Sequence, residues 1–288
     1  MVFHGILDGD DLSQSVSGGE LLMKGKPFFY IFFIILFTGC QIGFYLQEDR
    51  WGADSIRGAT DTDRALMFRH ESLRTAYKAG ELTEADGLKV YSNLKYVIQE
   101  EGDVLYIVFF GTDTAEDVYY DMIHWKEPFW TDIDPDMAVH AGFNRPFQDI
   151  APEIREAVQL YLDGAPPTPR VLLSGHSAGG VQAVLCAFYL SREFTTGELD
   201  DIYCQIGGSP APGNKAFADA VEAESRITLH RYRNGSDMMP GMLTEEMGYY
   251  HAGQPYHIGP EPDPITAFSS LWLAWHFIGD YADSLRAE

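Results

Sequence analysis

Short β-branched apolar runs alternate with longer amphipathic ones through the middle of the chain. Leu94–Gln99 and Val104–Phe110 are β-prone and are joined by Glu100-Glu101-Gly102-Asp103, which predicts a hairpin. Arg170–Ser174, Asp201–Gly207 and Arg226–Arg233 read as further strands. Between them lie residues 145–163, with Ile150, Ile154, Val158 and Leu162 at helical spacing, then the apolar run Val181–Leu190, then residues 215–224. Residues 61–79 predict a helix with Leu66, Leu73 and Tyr77 on one face, Thr62 or Asp61 as cap, Gly80 as stop and His70 at the surface. Gly248–Gly259, rich in Tyr and His, reads as a hairpin near the sheet edge, and residues 47–60 as a linker. Strand alternating with helix over 95–240 predicts an α/β domain with a mostly parallel central sheet flanked by helices.

Two stretches stand outside this alternation. Ala115–Trp125 is short and amphipathic, and Lys126–Met137 adds Phe129, Trp130 and Met137 among acids. Large apolar groups on a short insertion suit a lid over an apolar cleft; a packed loop with buried aromatics is the plainer account. The other stretch is the N-terminus, where Pro27–Cys40 is continuously apolar, of signal-peptide length, and follows Lys24 and Lys26. Residues 1–22 are polar and acidic, an odd leader, so translation is expected to start at Met23. Phe37-Thr38-Gly39-Cys40 resembles a bacterial lipobox, departing from it at Phe37. Acylation of Cys40 would hold the protein to a membrane; an uncleaved anchor and plain secretion are the alternatives. Residues 1–46 are thus expected to be a leader or anchor. Residues 47–288 form the globular domain, exported and either membrane-anchored or secreted, periplasmic included.

Composition narrows the choice of partner. A net charge of −23 argues against nucleic acid, whose phosphates would be repelled. Cys40, Cys186 and Cys204 are too few and too scattered for a disulfide framework or a zinc site. Cys186 and Cys204 read as buried thiols, with a bridge between them as the alternative. No metal-ligand cluster or nucleotide-binding loop is evident, so no cofactor is expected, although the many acids leave room for structural calcium.

The chemistry centres on Gly175-His176-Ser177-Ala178-Gly179-Gly180, between a predicted strand and a predicted helix. A serine hydroxyl is a weak nucleophile and must be presented bare to its base, which a tight strand-to-helix turn achieves. Gly175 and Gly179 sit where side chains would collide. The helix N-terminus behind Ser177 offers N–H groups to a developing oxyanion. A glycine-rich turn before a buried helix is the bland alternative, and the flanking elements count against it. Thr112 follows the Val104–Phe110 strand, at the edge where open α/β sheets bind ligands. It could donate its N–H and O–H to an oxyanion or simply end the strand. The serine needs a base and the base an acid, in the chain order Ser, acid, His for α/β-hydrolases. Asp237, in Asn234-Gly235-Ser236-Asp237, follows a strand as the acid should, and equally suits a turn. His251, His257 and His276 all remain open as the base on chemical grounds.

Several blocks together resemble the class 3 lipases, the fungal-type triacylglycerol lipases and their bacterial relatives, over roughly residues 70–285. They are Val108-Phe109-Phe110-Gly111-Thr112, His140-Ala141-Gly142-Phe143, Gly175–Gly180, Gly208-Ser209-Pro210 through Asn214, Asn234–Pro240, His251-Ala252-Gly253 and Trp275–Tyr281. Phe110, Ala211 and Trp275 depart from the pattern, where arginine, arginine and aspartate are usual. The resemblance implies an α/β-hydrolase fold with a lid insertion over 114–130. It also implies Ser177 as nucleophile, Asp237 as acid and His276 as base, with His251 as runner-up. Thr112 and the Ala178 N–H would form the oxyanion hole. Tyr119, Met122, Ile123, Trp125, Phe129 and Trp130 would line the lid and substrate path. His176 is expected to pack and bond within the turn. The implied activity is hydrolysis of lipid esters at a membrane or lipid interface, acylglycerols first. Phospholipase A and short-chain carboxylesterase are the alternatives within that class, and a non-catalytic lipid-binding envelope lipoprotein is the alternative outside it.

Overall fold

The alternation of strand and helix produces one main sheet with helices on both faces. The computed structural model describes residues 56–91, 94–111, 125–260 and 276–287, all within the unit Gln41–Glu288. The strands are β1 (Ile56–Arg57), β2 (Leu88–Tyr91), β3 (Leu94–Glu101), β4 (Val104–Phe109), β5 (Lys126–Pro128), β6 (Ala138–His140), β7 (Arg170–His176), β8 (Asp201–Gly207), β9 (Ile227–Asn234) and β10 (Gln254–Ile258). The helices are α1 (Asp61–Ala79), α2 (Ala141–Asp163), α3 (Ala178–Glu193), α4 (Lys215–Ala223) and α5 (Ile278–Ala287). The main sheet is eight-stranded in the order β1-β10-β9-β8-β7-β4-β3-β2. Neighbours from β1 through β4 pair in parallel, while β3 and β2 are added antiparallel.

Central parallel strands are covered on both faces, which is why β7 and β8 read as apolar runs rather than alternating ones. One face packs on α2 and α3, where Ile107, Leu173, Ile154, Val184 and Phe188 share the main core. Helix α3 is buried along nearly its whole length, as its unbroken apolar sequence requires. The other face carries α1 and α5, with Met67, Tyr232, Ile258 and Tyr281 packed together. Helix α1 is capped by the Thr60 hydroxyl, which accepts the Asp63 N–H at 3.2 Å, and ends at Gly80 with φ 72°.

Five expectations change. The buried face of α1 is Asp63, Leu66, Met67 and His70, so His70 is a core residue and not a surface one. Helix α2 starts at Ala141 rather than near 145 and contains Pro146 and Pro152. Gly248–Gly259 holds a single strand, β10, laid parallel to β9 instead of a hairpin. The tail of the presumed linker forms β1, which pairs with β10. Phe129, expected on the lid, is 3% exposed and packs edge-on to Phe217 at 5.7 Å and against Phe188 at 6.3 Å. A two-stranded ribbon explains this last change. β5 pairs antiparallel with β6, and the Phe129 N–H reaches the Met137 carbonyl at 3.1 Å, folding the segment back onto the core. Met137 is buried by the same fold-back. Cys186 and Cys204 are buried free thiols, with no bridge between them.

Candidate active site

Ser177 sits between the end of β7 and the start of α3, with φ 57° and ψ −130°. A non-glycine residue held there is strained and is kept in place by close packing. A Cβ at Gly175 would lie 2.2 Å from the Gly179 carbonyl, and one at Gly179 would lie 2.3 Å from the Phe109 carbonyl. The turn therefore closes only with glycine at both positions. Gly111, the last described residue after β4, approaches so closely that a Cβ there would lie 3.0 Å from the Ser177 Cβ. The Gly111 carbonyl accepts a hydrogen bond from the Arg74 guanidinium at 3.2 Å.

His276 faces this serine. Its Nε2 lies 3.0 Å from the Ser177 Oγ, and its Nδ1 lies 3.1 Å and 3.0 Å from the two carboxylate oxygens of Asp237. A carboxylate accepts but cannot donate, so Nδ1 carries the hydrogen and the serine hydroxyl donates to Nε2. All three side chains are buried. Asp237 follows β9, and its Oδ1 accepts the Met239 N–H at 2.9 Å. Its Oδ2 also accepts the Tyr281 hydroxyl at 2.6 Å, and burial beside that carboxylate pushes the Tyr281 phenol well above its usual range. Tyr281 was not singled out in the sequence.

The other histidines are occupied elsewhere. The His251 Nε2–H donates to the Pro240 carbonyl at 2.8 Å, and burial, with Arg231 adding to it, lowers its imidazole to about 3. His257 is buried within β10. His176 was expected to bond within the turn, but its Nε2 lies 2.5 Å from the backbone carbonyl of His276, a hundred residues away. His70 donates from Nδ1 to the Ser174 hydroxyl at 3.0 Å, which in turn donates to the Gln205 Oε1 at 3.0 Å. Its burial, with Arg74 adding to it, lowers its imidazole to about 3.

Around the site, Ala178 is the first residue of α3, so its N–H belongs to the helix start, where no carbonyl lies one turn earlier within the helix. Trp125 is 55% exposed, Trp130 is half-buried against Tyr189, and Phe277, beside His276, is exposed. Thr112, Tyr119, Met122, Ile123, His124 and Cys40 lie outside the described residues, as do residues 1–55 as a whole. Among the described residues there is no group of His, Cys, Asp and Glu that could hold a metal. No helix among them is long and apolar enough to cross a membrane.

The sheet order, the strained serine elbow and a Ser, Asp, His succession define an α/β-hydrolase fold. Comparison with known proteins is consistent with that class. Residues 106–247 match the family model Lipase (class 3). The lipase of Rhizopus niveus is 29% identical over 161 residues, 55% of this chain and 40% of that protein. The secreted mono- and diacylglycerol lipase 1 of Fusarium solani is 32% identical over 124 residues, 43% of this chain and 35% of that one. The chain thus spans less than half the length of these curated relatives. Among solved structures, the lipase of Rhizopus microsporus var. chinensis superposes with a TM-score of 0.58 at 21% identity, covering 78% of this chain and 87% of that one.

Proposed function

We propose that this protein is a class 3 lipase, a carboxylic ester hydrolase that cleaves lipid esters, acylglycerols first, through Ser177, His276 and Asp237. The observation that carries the reading is the continuous hydrogen-bonded chain from the Ser177 hydroxyl through both nitrogens of His276 to Asp237. The resemblance of the central segment to class 3 lipases supports the substrate class.

The chemistry follows from the geometry. Ser177 attacks the acyl carbon while His276 Nε2 takes its proton, and Asp237 stabilises the imidazolium that forms. The same proton then passes to the departing alcohol. Water, activated by His276, cleaves the acyl-enzyme and frees a fatty acid. The Ala178 N–H and Thr112 would hold the oxyanion, each donor contributing on the order of 3 kcal/mol to the transition state. Residues 114–125 would form the movable cover, with exposed Trp125 at its base; Phe129 is excluded from it by its burial. Export, with acylation at Cys40, would place the enzyme at a lipid surface.

Ser177→Ala should abolish turnover of a soluble p-nitrophenyl ester, with a loss of about 10⁶ in kcat, while leaving thermal unfolding in place. Unchanged hydrolysis by that variant would overturn the assignment. Total inertness of the folded wild type towards esters of graded chain length and phospholipids would favour a lipid-binding module. Mass spectrometry of the protein from bacterial membranes would test the anchor: a diacylated Cys40 supports it, and an intact residue 1 contradicts it.

A further inference from the structure

Ser177 and His276 are held in different ways. Ser177 is locked between a central strand and a helix. His276 lies in a turn ahead of α5, outside any strand or helix. Something must nevertheless keep its ring within hydrogen-bond reach of the serine, since a displacement of about 1 Å can cost on the order of 100-fold in rate.

We propose that His176 is a positioning residue: a neutral imidazole that clamps the backbone of His276 to the end of the nucleophile strand and so sets the Ser177–His276 distance. A backbone carbonyl only accepts, so the 2.5 Å contact to the His276 carbonyl fixes the hydrogen of His176 on Nε2. Because His176 directly precedes Ser177, two hydrogen bonds from adjacent residues grip one residue: Ser177 Oγ on its ring and His176 Nε2 on its carbonyl.

Ring contacts complete the grip. The His176 and His276 rings lie 4.9 Å apart at 38°, and Tyr281 packs edge-on to His176 at 5.5 Å. His176 therefore sits between the two side chains of the C-terminal segment that reach Asp237. Its position also explains why it must stay uncharged. The neighbouring His276 becomes cationic during proton transfer, and a second cation at this distance would oppose that step. Burial, with His276, His70 and Arg74 close by, holds the His176 imidazole well below its ordinary range, which favours its neutral form. On the far side, His70 meets His176 edge-on at 6.3 Å. The groups facing His176 are thus the imidazoles of His70 and His276, the Arg74 guanidinium and the Tyr281 ring, with the Asp237 carboxylate behind His276 and Tyr281, bonded to both.

This inference rests on the ester-hydrolase reading, and its test separates the two. His176→Leu removes the donor and keeps an apolar body; His176→Gln restores an N–H at similar reach. In His176→Leu, kcat on a soluble p-nitrophenyl ester should fall roughly 10- to 100-fold with KM within about twofold. His176→Gln should recover most of that loss. A purely structural role would lower the yield of folded protein without splitting kcat from KM and without rescue by glutamine. Crystal structures of both variants supply a readout independent of turnover. In His176→Leu the His276 ring should withdraw beyond hydrogen-bond distance of Ser177, and in His176→Gln it should stay. Should the wild type prove inert to esters, the hydrolase reading fails, yet the crystal comparison still decides the clamp. An unmoved His276 in His176→Leu, or a full kcat there, overturns it.

Discussion

Two buried carboxylates in this molecule have nearly the same partners and opposite consequences. Asp237 accepts from His276 Nδ1 at 3.0 Å and from the Tyr281 hydroxyl at 2.6 Å. Asp63, at the start of α1, accepts from His230 Nδ1 at 2.9 Å and from the hydroxyls of Tyr232 at 2.6 Å, Tyr203 at 2.9 Å and Thr60 at 2.5 Å. Both side chains are inaccessible to solvent. The difference lies in what the far side of each imidazole meets. His276 turns Nε2 to a serine on a strained elbow. His230 projects from the middle of β9 and packs among the rings of Tyr203 and Tyr256, 5.2 and 4.7 Å away. An Asp–His pair with a tyrosine is therefore not evidence of catalysis. On the proposed reading, what distinguishes Asp237 and His276 is their placement at the C-terminal edge of the sheet, beside Ser177. Asp63 instead ties the first helix to β8 and β9; burial works to raise its carboxyl, but the hydrogen bonds from His230, Thr60 and Tyr232 outweigh it and hold the group below the usual range.

This contrast can be broken by substitution. Asp237→Asn should lower kcat/KM about 10⁴-fold, because the amide favours the wrong imidazole tautomer, with little change in unfolding midpoint. Asp63→Ala should do the reverse. It leaves buried donors without an acceptor and should cost about 3 kcal/mol in chemical denaturation, with kcat of the folded fraction unchanged. Equal damage to both properties from either variant would erase the distinction. Phe129→Ala should likewise act on stability, by about 3 kcal/mol, and not on substrate preference, since the ring is core and not lid. Tyr281→Phe removes one charge-assisted bond from Asp237 and should lower kcat/KM about tenfold.

The smallest effect is on acid stability. His70 and His251 titrate near 3 when folded and near their ordinary 6.5 when unfolded. Below 6.5 the unfolded chain binds protons that the folded one refuses, so stability is full above about 6.5 and falls as pH drops towards 3. The slope is on the order of 1 kcal/mol per pH unit for each histidine. His70→Gln should flatten the dependence of the denaturation midpoint between pH 6.5 and 4, and an unchanged slope would contradict its burial as a neutral group.

Much of the site's frame was legible because it is local. Strand, glycines and helix around Ser177 are neighbours in sequence, and Asp237 follows its strand directly. Choosing His276 over His251 and His257 was not possible from chemistry, because all three lie after the acid and only long-range packing decides which one reaches the serine. The resemblance supplied that choice. The polar members of α1's buried face were overlooked because only apolar positions were counted, although Asp63, Leu66, Met67 and His70 fall at i, i+3, i+4 and i+7. Phe129 and Met137 looked like lid residues until the β5–β6 ribbon turned them inward, and β1 is too short to carry a pattern of its own. Tyr281 and His176 owe their roles to contacts across 44 and 100 residues, which no local period encodes.

Labelling with a fluorophosphonate, followed by peptide mass spectrometry, tests the central claim most directly. The account predicts one adduct per chain, on Ser177, formed at full rate by Asp63→Asn and reduced by orders of magnitude in His276→Ala. An adduct on another residue, or labelling of folded His276→Ala at the wild-type rate, would contradict it.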